Sequence, residues 1–312
     1  MNRRRSVSDV EETAEVQPTR RRAVRRKPQA QAQQVPVALD SLMLAVWSPQ
    51  GSTGRSTLAA ALAHTFAKSN VRSGHVLLVD ADSYAPAQHL IHGANEITAG
   101  ILAAARLIRQ ERYLDQEHER VTLPVGDYRL MTGVTVADRW PELDDHASSL
   151  LIHELGQRAS LNIFDVSPEL DPALVEPSLG IRRNQLTLAV LQRADVVLAI
   201  ANADPVSIAR LIESLPRLIE AVNGRIIIVI NRMRTSAIGQ NAKRQILEVL
   251  SSQELAIPLE VVFVPDDPRA CDESLLAGEP VTLHRNRSAF AKGVRELASR
   301  INSSHVHTAR AG

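Results

Sequence analysis

The sequence predicts an α/β chain, a doubly wound, mostly parallel sheet with helices on both faces. Three observations point there. Short, fully apolar runs recur along the chain, stretches with helical spacing lie between them, and a glycine-containing loop joins the first run to the first helix. Strands covered by helices on both sides read as unbroken apolar runs, because neither face meets water.

The first run is LMLAVW at 42–47. The loop follows, then TLAAALAHTFAK, whose apolar residues recur at a helical period. HVLLVD (75–80), YRLMTG (128–133), LNIFDV (161–166), DVVLAI (195–200), RIIIVIN (225–231) and LEVVFV (259–264) are the further strand runs. ITAGILAAARLIRQ, SLLIHELGQRA, VSIARLIESLPRLIEAV and NAKRQILEVLSS supply helices between them. The last helix is expected over roughly Ser288 to Ile301. No internal repeat is visible.

Composition bounds the class. The 312 residues are 44% apolar, enough for a substantial core. The formal net charge of +1 excludes polyanion binding by bulk charge. The single cysteine, Cys271, excludes an internal disulfide framework and fits a reducing compartment. No apolar run approaches the ~20 residues that span a bilayer. The N-terminal arginines lack a following apolar segment, so they do not form a secretory signal. The expected location is cytoplasmic, with peripheral contact at a membrane or nucleoid as a variant.

Residues 1–38 are expected to be a disordered basic tail. They carry RRR at 3–5, RRRAVRRK at 20–27 and QAQAQQVP, without apolar periodicity. Such a composition buries too little surface to offset ordering entropy. The tail is either a solubilising leader or a loose electrostatic contact for DNA or anionic membrane. Residues 39–304 are expected to form one domain, and 305–312 a flexible C-terminal tail.

Ligands of such sheets sit beyond the carboxyl ends of the strands. There the first strand ends in SPQGSTGRST, Ser48 to Thr57. Against the phosphate-loop pattern G-x-x-x-x-G-K-[ST], Pro49 holds the first glycine position, Gly54 the second, Arg55 the lysine and Ser56 the hydroxyl. Gly51 and Gly54 permit a tight backbone that turns N–H groups inward, and the helix N-terminus adds a positive dipole end. Ser56 is placed to ligate Mg²⁺ and Thr57 to reach the α-phosphate. HVLLVDAD sets Asp80 and Asp82 at the end of the second run, and NIFDV sets Asp165 at the end of another. Carboxylates at adjacent strand ends beside a phosphate loop suit a Mg²⁺–triphosphate site. Each one alone would read as an ordinary helix cap.

These residues together resemble the MinD/ParA family of deviant P-loop ATPases, over about Leu42 to Ile301. The family loop has the form K-G-G-x-G-K-[ST]. QGSTGRST matches it with Gln50 at the signature lysine, which in the family reaches across a dimer to the partner's phosphates. LLVDADSYAP matches the family's D-x-D segment. The resemblance implies that Asp82 helps orient the attacking water, Asp80 supports the Mg²⁺ shell and Asp165 is the Walker B aspartate. IIIVINRM matches the strand whose asparagine contacts adenine, here Asn231 with Arg232 beside it. VPDDPRACDESLLAGEPV matches the adenine wall, with Pro265 and Asp266. Cofactor contacts are thus expected from Gln50, Gly51, Ser52, Thr53, Gly54, Arg55, Ser56, Thr57, Asn231, Arg232, Pro265 and Asp266, the cofactors being ATP and Mg²⁺. The metal ligands are Ser56, Asp165 and Asp80, and the catalytic set is Asp82, Asp80 and Arg55.

Pro49, Gln50, Ser52 and Arg55 depart from the family pattern. Arg55 keeps a permanent charge and a phosphate-binding fork. Only Lys27, Lys68, Lys243 and Lys292 are lysine among 36 basic residues, so arginine here fits a general substitution. Gln50 is neutral, and loss of one preorganised contact costs about 10²–10³ in rate. The resemblance implies an ATP-dependent homodimeric switch with weak ATPase activity, positioning a protein partner in septum placement, partition or pilus assembly. The alternatives are a non-hydrolysing nucleotide-binding scaffold and an ATP-dependent, non-specific DNA-binding partition protein.

Other motifs carry less. His89 and His92 lack a third ligand nearby, and Cys271 lacks a histidine signature. Phe290, Val294, Leu297 and Ile301 line one face of the last helix. They read as a packing face, with a membrane-surface helix as the alternative. Arg139 and Trp140 read either as a partner contact or as buried structure.

Overall fold

The computed structural model describes residues 41–69, 75–94, 99–173, 175–234, 241–255, 257–258 and 260–308. The expected basic tail, 1–38, lies outside them, as do residues 309–312.

The strands are β1 (Leu42–Trp47), β2 (Val76–Ala81), β3 (Leu123–Val125), β4 (Tyr128–Met131), β5 (Leu161–Val166), β6 (Val196–Asn202), β7 (Arg225–Met233) and β8 (Glu260–Pro265). The helices are α1 (Arg55–Lys68), α2 (Gln88–Ile91), α3 (Gly100–Arg109), α4 (Asp115–Val121), α5 (Asp145–Gly156), α6 (Gln185–Arg193), α7 (Pro205–Ala221), α8 (Ala242–Ser251), α9 (Pro268–Ala277), α10 (Val281–His284) and α11 (Ala289–Thr308). The sheet order is β3-β4-β2-β5-β1-β6-β7-β8. Among the described residues, every pairing within this sheet is parallel except that of β3 with β4. The fold is therefore the expected doubly wound P-loop NTPase architecture.

All seven expected strands are present. The eighth, β3, was not expected: LPV is three residues long with proline at its centre. Proline lacks the ladder N–H and is tolerated there because β3 is the sheet edge. Helix α4, DQEHERV, buries no residue and so shows no apolar period to read.

Alternation along β1 separates two cores. Leu44 and Val46 face α1 and α11, while Ala45 and Trp47 join the core with α3, α5, α6 and α7. On α11, Phe290, Val294, Leu297 and Ile301 are buried in the α1-side core. Their apolar face is consumed by packing, which decides against the membrane-surface alternative. The helix itself continues to Thr308, beyond the expected end at Ile301 and into the stretch expected to be a tail. Among the described residues, no helix is long and apolar enough to cross a membrane.

The chain runs from β1 toward β2 on one side of the sheet and from β5 past β1 to β6 on the other. The order therefore turns around at β1, and such a turning point opens a crevice beyond the strand ends. The loop after β1 lies in that crevice.

Leu62 is fully buried on α1 between the sheet and α11. Leu62→Ala is expected to lower stability by about 2–5 kcal/mol, measured by urea unfolding.

Candidate functional site

The loop from Ser48 to Gly54 leaves β1 and enters α1. Gly54 has φ +83°, and a Cβ there would approach the Asn231 side-chain nitrogen to 2.5 Å. Only glycine accommodates both constraints. Asn231 Nδ2 donates to the Thr53 carbonyl at 2.8 Å, tying β7 to the loop. Ser48 Oγ donates to the Gln50 carbonyl at 2.7 Å, while Gly51 and Ser52 are exposed.

Asp144, Asp204 and Asp267 cap α5, α7 and α9 by accepting backbone N–H bonds. No side chain caps α1 and its first turn holds no acidic residue, which is also true of α3, α6 and α8; α1 differs in following the glycine loop beside the carboxylates. A helix N-terminus carries unpaired N–H groups and a positive dipole end, so this one suits an anion from outside the chain.

Just inside it lies a buried charge cluster. Asp80 on β2 and Asp165 on β5 are register partners, and Asp82 follows two residues later. Arg55, first residue of α1, ion-pairs with Asp82 through one Nη and with Asp165 through Nε at 3.0 Å. Its side chain is 10% exposed, and those of Asp82 and Asp165 are 2% and 1% exposed. Asp82 Oδ1 also accepts the N–H groups of Tyr84 and Ala85, at 2.9 and 3.0 Å. Gln88 completes the cluster. Its side-chain nitrogen donates to Asp165 at 2.8 Å and to the Ser56 carbonyl at 3.0 Å, and its backbone N–H donates to Asp80 at 2.9 Å. The Ser56 side chain lies beside Asp165 and acts to lower its pKa.

Burial, and next the Asp165 charge, push the Asp80 carboxyl well above its ordinary range. Burial raises Asp165 as well, and the Arg55 guanidinium opposes that rise. Burial therefore disfavours the charged form of both, and at Asp165 the Arg55 guanidinium and the Gln88 amide act against that effect.

Beside the loop opens a cavity of about 380 Å³. Gly54, Thr57, Asn231, Arg232, Pro265 and Asp266 line it, so the expected residues from β7 and β8 do meet the loop. Asn202 and Asn231 are register partners, and the side-chain oxygen of each is buried without a partner. The same holds for Thr53 Oγ1 and one Nη of Arg55. Cys271 also lines the cavity, and burial pushes its thiol up to about 11, away from nucleophilic use. Trp140 is half-buried, and Arg183 stacks over Tyr84 at 4.5 Å and reaches Trp140 at 5.9 Å. His92 is used structurally, bonding Tyr128 Oη at 2.6 Å and the Gln88 carbonyl at 2.7 Å.

Gln50 does not join the carboxylates. Its carboxamide nitrogen donates to Ser207 Oγ at 3.0 Å, and its oxygen accepts from Arg210 at 2.6 Å.

The model of the CobQ/CobB/MinD/ParA nucleotide-binding domain matches residues 44–276. The chain belongs to this family. Solved structures with the same fold include a ParA family ATPase from Chlorobium tepidum TLS, 19% identical, with a TM-score of 0.65 over 82% of this chain and 97% of that one. The septum site-determining protein MinD of Pyrococcus horikoshii OT3, complexed with Mg-ADP, is 17% identical, with a TM-score of 0.60 over 84% and 96%. The cell division ATPase MinD of Pyrococcus furiosus is 19% identical, with a TM-score of 0.61 over 84% and 99%. No curated protein matches the chain in sequence.

For a MinD/ParA family member, the residues present fit a nucleotide. An uncapped helix start, two buried unpartnered donors at Thr53 and Arg55, and unpartnered acceptors at Asn202 and Asn231 all await polar partners. The hard oxygens of Ser56 and Asp165 suit Mg²⁺ chemically. Gln88, Ser207 and Arg210 were not found in the sequence. A glutamine after a strand, and a serine and arginine on an amphipathic helix, carry no local signal of what they meet.

Removing Arg55 would strand two buried carboxylates. Arg55→Ala is expected to destabilise the fold by about 3–5 kcal/mol in urea unfolding. Asp80 gives a pH signature. Its folded pKa is raised above the ordinary 3.8, so the folded state holds the extra proton in that window. Stability then falls as pH rises from the ordinary value through the raised one. Asp80→Asn is expected to flatten this slope in urea titrations across pH, while Asp165 leaves a residual slope of the same sign in both proteins.

Proposed function

We propose that the protein is an ATP-binding, slowly hydrolysing dimeric switch of the MinD/ParA type that positions or recruits a protein partner. The observation that carries this reading is Arg55, set at the start of an uncapped helix and held between Asp82 and Asp165. A cation there is within reach of both an incoming phosphate and the carboxylates that would act on it.

In this reading the base enters the cavity beside Asn231. Its unpartnered side-chain oxygen and that of Asn202 accept hydrogen bonds, which matches the exocyclic amine of adenine and disfavours the guanine carbonyl. The loop N–H groups and Thr57 hold the phosphates. Arg55 turns its fork from the carboxylates to the β and γ oxygens. Mg²⁺, held by Ser56 and Asp165 with Asp80 behind, would neutralise charge on those oxygens. Release from Arg55 frees Asp82 to orient a water. The water oxygen bonds to the γ-phosphorus and the bond to the bridging oxygen breaks. ADP leaves with that electron pair, and the water proton passes to Asp82 or the departing phosphate. One of the similar structures is a MinC:MinD cell division protein complex from Aquifex aeolicus, which supports proposing a protein partner.

One observation favours a second reading, a nucleotide-binding scaffold that does not hydrolyse. Both oxygens of Asp82 are engaged, one by Arg55 and one by the Tyr84 and Ala85 N–H groups. If Arg55 stays with Asp82, no base is available for water.

Sedimentation velocity with Mg-ATP, Mg-ADP or no nucleotide is expected to give a dimer with Mg-ATP alone. Asp82→Asn is expected to bind ATP yet lose at least about 10² in phosphate release. Nucleotide bound by the unmodified protein without phosphate release would favour the scaffold, and no bound nucleotide would reject both readings.

A further inference from the structure

The site has an unbalanced charge account. Arg55 is already offset by two carboxylates, so the interior offers no surplus positive charge to a polyanionic triphosphate. Position 50, on the loop itself, is a neutral glutamine. Yet Gln50 is not idle, since both ends of its carboxamide are bonded. Its nitrogen donates to Ser207 Oγ, which is fully buried and accepts the Asn202 N–H at 2.8 Å. Ser207 in turn is fixed because its own N–H caps α7 on Asp204 at 2.9 Å. With the amide orientation set this way, the Gln50 oxygen faces α7 and accepts from Arg210 at 2.6 Å.

Arg210 lies three residues beyond Ser207 and is solvent-exposed. Among the described residues it forms no ion pair, and its side-chain bond is the one to Gln50. One of its five N–H donors is used on Gln50, and the planar fork leaves others open for a second acceptor. A lysine at position 50 would repel this guanidinium. A glutamine carbonyl holds it.

We propose that Arg210 is a second phosphate-binding cation, held on the loop by Gln50 and contacting the terminal phosphate of a nucleoside triphosphate bound there. The charge missing from position 50 is supplied from α7. This inference rests on the nucleotide reading above. It assigns triphosphate recognition to a residue pair, Gln50 with Arg210, outside the buried cluster.

The test is calorimetric titration of the full chain with a non-hydrolysable ATP analogue and with ADP, both with Mg²⁺, at low and moderate salt. Arg210→Gln is expected to weaken the analogue about tenfold or more, the scale of a charge-assisted hydrogen bond, and ADP by less than about threefold. Arg210→Lys should recover part of that loss by charge alone. Gln50→Ala should fall between, because Arg210 keeps its charge but loses its tether. Arg210 is exposed, so thermal melting should be unchanged. Equal weakening of analogue and ADP, or none of either, would overturn the assignment while leaving nucleotide binding intact. Failure of the unmodified protein to bind either nucleotide would instead reject the nucleotide reading, and this inference with it.

Discussion

A single guanidinium between two buried carboxylates organises this molecule. Ions taken out of water must be paired and hydrogen-bonded, or the fold loses several kcal/mol for each one. Arg55 meets that requirement for Asp82 and Asp165, and Gln88 takes the remaining Asp165 oxygen. Asp80 has no cation beside it among the described ion pairs, and burial with the Asp165 charge raises its carboxyl well above the ordinary range, while the Gln88 and Asp82 N–H groups bond it. Three carboxyl groups share one dry corner where two face the same cation and the third is held by backbone N–H groups. The starts and ends of α1, β2 and β5 are thereby drawn to one point.

The same contact sets the terms for any ligand. A phosphate arriving at the start of α1 competes with Asp82 and Asp165 for Arg55. Whatever it gains from the guanidinium is offset by the cost of leaving those carboxylates with weaker partners. A site built this way favours a ligand that brings its own compensating cation, as a metal-bound nucleotide does. It also makes the outer rim of the loop matter more. Arg210 is exposed and, among the described residues, forms no ion pair, so it can meet a phosphate without abandoning one. Gln50 links the rim to the rigid part of the fold through Ser207 and the Asn202 backbone.

Packing on the far side of the sheet supports this arrangement. Helix α1 must start where the loop delivers it and remain there when a polyanion binds. Its alanine-rich body, Ala59 to Ala63 with Leu58, Leu62 and Phe66, is buried between the sheet and α11. Small residues let the helix lie close to the strands, which leaves little room for the start of α1 to shift. Asn231 adds a hydrogen bond from β7 to the Thr53 carbonyl, and Gly54 leaves the space it needs.

Local pattern alone announced much of this. Unbroken apolar runs identified seven strands, the helical period identified α1, α3, α5, α7, α8 and α11, and the spacing of glycine, arginine and serine after β1 located the loop. Asp80, Asp82 and Asp165 were legible because they lie at the ends of apolar runs, whereas Asn231, Pro265 and Asp266 came from the resemblance to the MinD/ParA family. All these signals lie within a few residues of one another along the chain. What followed only from folding joins residues that are far apart in sequence: Arg55 with Asp165, Gln88 with Ser56, and Gln50 with Arg210. Hydrogen bonds and ion pairs of that kind depend on the order of strands in the sheet and on the direction each side chain takes. A single sequence without its fold carries neither, so the residues that form the site could be named in advance while the bonds that govern it could not.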